Sequence, residues 1–89
     1  MKAIVTVIGT DRVGIIAAVC AMLASLKINI LDISQTVMQE YFTMIMLVDT
    51  AECAQAFGEI AEQLEKLGER ESLQIRIQRE EIFHAMNRI

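Results

Sequence analysis

Lys2-Ala3-Ile4-Val5-Thr6-Val7-Ile8-Gly9-Thr10-Asp11-Arg12-Val13-Gly14-Ile15 is the stretch whose reading decides the fold. Lys2 to Ile8 is rich in β-branched residues and apolar on both parities, Ala3, Val5 and Val7 on one and Ile4 and Ile8 on the other. That pattern predicts a strand buried on both sides and central in its sheet. From Gly14 to Leu26, Ile16, Val19, Cys20, Leu23 and Leu26 recur at spacings of three and four, which predicts a helix with a sheet-facing stripe. Its flanks carry Ala17, Ala18, Ala21, Ala24 and Ser25, small enough to admit a close neighbour. Between strand and helix, Gly9 and Gly14 permit positive φ or the close approach of another molecule. A helix start offers unpaired N–H groups and a positive dipole end, so a bound carboxylate is expected here.

Working outward, Ile30 to Met38 reads as a strand with Leu31, Ile33 and Val37 on one parity and Asp32, Ser34 and Thr36 on the other. The polar parity suits a sheet edge or a wet cavity. Gln39-Glu40 is expected to form a tight hairpin, without the Asn-Gly pair that favours one. Tyr41 to Asp49 follows as a second central strand, apolar on both faces. Asp49 or Thr50 fits a helix cap with Glu52 in the first turn, and the helix is expected to run to Leu67 and stop at Gly68. Phe57, Ile60, Ala61, Leu64 and Leu67 form its apolar side, while Glu62 and Lys66 pair on the wet side. Ser72 to Arg79 alternates, Leu73, Ile75 and Ile77 inward and Gln74, Arg76 and Gln78 outward, as an edge strand does.

Strand, helix, strand, strand, helix, strand is the order of an α+β, ferredoxin-like βαββαβ sandwich: a four-stranded antiparallel sheet with two helices on one face. Residues 1–79 make this domain. Residues 80–89 add a short C-terminal helix, with Ile82, Phe83, Met86 and Ile89 on one side, expected to serve packing or oligomerisation. The lone histidine, His84, lies off that stripe and reads as solvent-facing. Because two helices cover one sheet face, the apolar residues on the other parity of the central strands call for a second cover. Another chain, the C-terminal helix, or both are the candidates.

Composition narrows the function. With 89 residues the chain has room for one domain, and a 54% hydrophobic share is high for so small a core, which points to oligomerisation. Charged residues interrupt every apolar run before a membrane span could form, and Met1 to Val5 lacks the pattern of a secretory signal, so a cytoplasmic protein is expected. A net charge of −4 with scattered lysines and arginines argues against nucleic acid. Cys20 and Cys53, placed in the two predicted helices, read as reduced thiols, with no metal site and no cofactor implied.

Asp11-Arg12-Val13-Gly14-Ile15-Ile16, followed by Leu26-Lys27-Ile28-Asn29-Ile30-Leu31-Asp32, resembles the signature of the ACT domain, whose usual run is Asp-Arg-Pro-Gly-Leu, a helix, then Asn-Ile. The resemblance covers nearly the whole chain and is strongest to small stand-alone ACT proteins of bacteria and archaea. Val13 stands where many relatives have proline. The family implies a non-enzymatic regulatory module, a homodimer or higher homo-oligomer that binds an amino acid or similar small metabolite at a subunit interface. Asp11, Arg12, Val13, Gly14 and Ile15 would form the loop side of that site, and Asn29, Ile30 and Leu31 of another subunit the strand side. Each has a plainer reading: Gly14 as a packing position, Asp11 as a helix cap, Arg12 as a surface charge, Asn29 as a turn residue. A structural subunit acting through an unidentified protein partner is the alternative function. An acylphosphatase-type enzyme is a further rival, because Arg12 and Asn29 answer superficially to its arginine–asparagine pair.

Overall fold

A computed structural model gives the structure of the chain and describes residues 1–10 and 13–81. The elements are β1 (Lys2–Thr10), α1 (Ile15–Ser25), β2 (Asn29–Met38), β3 (Tyr41–Asp49), α2 (Phe57–Glu71) and β4 (Leu73–Arg79). The strands form one antiparallel sheet in the order β2-β3-β1-β4, with both helices on one face. The doubly apolar strands are central and the half-polar ones are edges, as expected.

Register fixes which side chains reach the core. Val5 lies opposite Met46 on one side and Ile77 on the other, and Val7 opposite Met44 and Ile75. These positions, with Phe42 and Val48, are buried beneath Ile15, Val19 and Leu23 of α1 and Ile60, Leu64 and Leu67 of α2. The buried parity of β3 is therefore Phe42, Met44, Met46 and Val48, and Ile45 and Leu47 face the open side with Ile4 and Ile8.

Four local readings are corrected. In α1 the buried stripe begins at Ile15; Ile16, one residue or about 100° further round the helix, is exposed, and Cys20 is half-buried. The second helix starts at Phe57, not after Thr50. The Asp49 carboxylate accepts the Ala51 N–H at 3.0 Å, and Thr50 donates its N–H and hydroxyl to the Met1 carbonyl, so both tie a turn to the start of β1. Cys53 consequently lies in the connection. The helix is closed at its start by Ala56, whose carbonyl accepts the Glu59 N–H at 3.0 Å while the Glu59 carboxylate accepts the Ala56 N–H at 3.3 Å. Third, α2 continues through Gly68 and ends at Glu71, and the capping Ser72 that follows is held at φ 59°.

Fourth, β2 departs from the expected alternation. Its register slips between Ile30 and Asp32, leaving Leu31 as the extra residue of a bulge. Ile33 and Val37 then face the helix side opposite Met46 and Phe42, while Leu31 leaves the alternation. The helices do not reach this edge: Leu31 is 44% exposed, Ile33 41% and Val37 52%. The hairpin forms at Gln39-Glu40 with Gln39 left-handed at φ 57°. The Glu62–Lys66 pair is present at 3.1 Å. Glu80 and Glu81 are helical; the remainder of the expected terminal helix, His84 included, lies outside the described residues.

Gly68 is a notch for β4: a Cβ there would sit 2.6 Å from the Leu73 carbonyl oxygen. Gly68→Ala is expected to lower stability by about 1–3 kcal/mol in chemical denaturation, because the clash outweighs the helix-propensity gain of about 1 kcal/mol. A more stable variant would refute that account. The Asp49 carboxyl is held below its ordinary pKa, first by the Ala51 N–H and then by the N-terminal ammonium at 3.3 Å. A lowered carboxyl pKa adds stability above the unfolded value and loses it as pH falls through the folded one. Asp49→Asn should therefore flatten the acid limb of a thermal-unfolding series without steepening it.

Candidate functional site

β1 delivers Thr10 to one end of the sheet, opposite Tyr41 of β3, and α1 begins five residues later at Ile15. Asp11 and Arg12 lie outside the described residues. Val13 is 97% exposed, an apolar side chain presented to solvent. Gly14 takes the position before the helix at φ 93°, ψ −3°, and its carbonyl accepts the Ala18 N–H at 2.9 Å. A Cβ at Gly14 would meet nothing within 4 Å, so the packing reading is set aside: glycine is there for the left-handed backbone. Gly14, not Asp11, occupies the capping position. No described side chain caps α1, and its first turn contains no acidic residue. The positive end of α1 therefore faces the loop without a local carboxylate from that turn, an arrangement that favours an anion.

The strand half of the expected site lies elsewhere. Asn29 opens β2 opposite Asp49, which in turn lies opposite Lys2 at the start of β1. The loop follows the other end of β1, where Thr10 lies level with Tyr41 and Met38. From Lys2 to Thr10 is eight strand steps, about 26 Å at 3.3 Å per step. Within one chain, Asn29, Ile30 and Leu31 are thus at the opposite end of the sheet from Val13, Gly14 and Ile15.

Around the loop, other exposed apolar groups gather. Ile16 is 39% exposed on the first turn of α1, and Val37 and Met38 end β2 at the same end of the sheet. The whole of α1, Ile-Ile-Ala-Ala-Val-Cys-Ala-Met-Leu-Ala-Ser, contains no charged residue, although Ile16, Ala17, Ala21, Ala24 and Ser25 face outward. Helices apolar all round are normally covered on every side. That feature was visible in the sequence. The β2 bulge was not, because nothing in Ile30-Leu31-Asp32 departs from a regular strand.

Among the described residues no three His, Cys, Asp or Glu side chains come together to hold a metal, and Cys20 and Cys53 are free and half-buried. Also among the described residues, no helix is long and apolar enough to cross a membrane.

The chain is 56% identical over 89 residues to a UPF0237 protein of Clostridium acetobutylicum, spanning 100% of both. An ACT domain protein from Streptococcus pneumoniae superposes with a TM-score of 0.84 at 46% identity, with 97% of each chain covered. The regulatory subunit of aspartate kinase from Thermus thermophilus, in its ligand-free form, gives a TM-score of 0.67 at 25% identity over 86% of this chain and 50% of that one. With residues 2–78 matching the family model as well, the chain belongs to the ACT domain family.

Proposed function

We propose that this chain is a non-enzymatic regulatory module, and that it binds an amino acid or similar small metabolite between two copies of itself. The observation that carries the reading is that the start of β2 and the end of β1 stand at opposite ends of one sheet, and that β2 is an edge strand with its outer side unpaired. Antiparallel pairing of two β2 edges sets the start of each β2 beside the end of the other. Asn29, Ile30 and Leu31 of one copy then come to the end of the sheet where the other copy has its loop, Asp11 to Ile15. The same joining covers Ile33 and Val37 and gives the charge-free outer side of α1 a neighbour. A long, exposed apolar edge is otherwise an aggregation hazard.

The pocket has the chemistry an amino acid needs. The N–H groups at the start of α1 receive the carboxylate, the Asn29 amide donates and accepts, and Asp11 attracts the ammonium, because Asp32 lies opposite Leu47 on the open face. Val13 and Leu31 supply apolar contact for a side chain. The likeness to an aspartate kinase regulatory subunit supports a regulatory role for this chain. Ligand binding would act by favouring the paired state or a partner bound to it, because a ligand shifts only equilibria whose states it binds unequally.

Calorimetry of the oligomer against the proteinogenic amino acids at millimolar concentration is expected to give a saturable signal with at least one. No signal with any would leave an assembly role alone. Gly14→Asp and Gly14→Asn separate charge from backbone strain, since both tolerate the left-handed region better than other residues. The Asp variant should bind at least about tenfold more weakly than the Asn variant, a difference of about 1.4 kcal/mol; equal affinities would move the carboxylate away from α1. Ile33→Lys should shift sedimentation from dimer toward monomer and weaken ligand binding in parallel. Weakened assembly with full ligand affinity would show that one chain holds the site alone.

A further inference from the structure

A second surface, separate from the β2 edge, lacks a described cover: the sheet face away from the helices. Register arranges it in rows, Leu47-Ile4-Gln78, Ile45-Thr6-Arg76 and Thr43-Ile8-Gln74 across β3, β1 and β4. Ile8 is 44% exposed and Ile45 39%. Beside them a groove of about 360 Å³ is lined by Thr6, Ile8, Gln74, Arg76 and Gln78. Exposed isoleucines in the middle of a sheet forfeit roughly 25 cal/mol per Å² of apolar surface left in water.

The chain itself leads a candidate to this face. Arg79 lies opposite Ala3, so the polypeptide leaves β4 beside the Leu47-Ile4-Gln78 row, and Glu80 and Glu81 are already helical. Eight residues follow, with Ile82, Phe83, Met86 and Ile89 at helical spacing. As a helix they measure about 12 Å. Crossing from β4 over β1 to β3 takes two strand spacings, about 10 Å. We propose that residues 82–89 lie across the open face of their own sheet, with Ile82, Phe83 and Met86 against Ile4, Leu47 and Ile45, the apolar residues nearest the end of β4.

A segment tethered directly to the strand beside its binding face competes at an effective concentration in the millimolar range, well above that of a second copy in dilute solution. The polar frame agrees as well. Gln74, Arg76 and Gln78 border the apolar patch on the β4 side, and His84, Asn87 and Arg88 are the polar residues of the segment. The open face is thereby closed within each chain, which leaves the β2 edge for pairing between copies.

The test uses the full-length chain with Cys20 and Cys53 replaced by alanine and new cysteines at Ile45 and Met86, treated at low concentration with a short bis-maleimide. A single cross-linked species of monomer mass is expected, and a Glu62→Cys, Met86→Cys pair, which places one thiol on the solvent side of α2, should not cross-link. A product of dimer mass would put the segment on another copy and overturn the proposal, as would no product. Thr6→Cys replaces Ile45→Cys should that variant fail to fold. Independently, Phe83→Asp combined with Met86→Asp should raise the fluorescence of a hydrophobic-surface dye severalfold while the circular-dichroism spectrum stays that of a folded chain; unchanged fluorescence would also overturn it.

Discussion

The row Ile33-Met46-Val5-Ile77, one residue from each strand, is the constraint on which the rest of the molecule depends. All four side chains point to the helix side, and three of them are buried. Because successive strand residues alternate faces, a slip of one residue in any pairing would bring polar or surplus apolar residues under the helices. Arg76 or Gln78 would replace Ile77, for instance. Once this row is set, α1 and α2 have one place to lie, the loop after Thr10 emerges at one end of the sheet, and Asn29 at the other.

The row also explains what the sequence made legible. β1 and β3 are apolar on both parities, so their central positions follow from composition alone, and β4 declares its inward face by strict alternation of Leu73, Ile75 and Ile77 with glutamine and arginine. Readings failed where an isolated local signal competed with long-range packing. Asp49 and Thr50 have the chemistry of a cap, yet their bonds go to Ala51 and Met1, a contact that spans nearly fifty residues and leaves no local trace. Gly68 has the signature of a helix stop, but its lack of a side chain serves the carbonyl of Leu73. Ile15 and Ile16 are chemically alike, and only the phase set by Gly14 decides which is buried. The loop motif identified the family, whereas the fact that its two halves lie at opposite ends of a chain required the strand register.

That separation bears on how such a module would report a ligand. If each pocket is built from two copies, ligand binding and pairing are linked equilibria, and each strengthens the other by the same factor. Apparent ligand affinity then rises with the concentration of the protein itself. A single-chain pocket would have no such dependence.

Leu73 joins two parts of the structure that are otherwise distant. Its carbonyl oxygen occupies the space a side chain at position 68 would need, and its own side chain occupies the space a Cβ at Gly9 would need. The two glycines are therefore unequal in the histories open to them. A leucine side chain can be exchanged for a shorter one, so a residue larger than glycine becomes tolerable at position 9 once position 73 has changed, and the order of the two substitutions matters. No exchange at position 73 removes a backbone carbonyl, so position 68 has no such route: it is tied to the path of the chain and not to the identity of its neighbour.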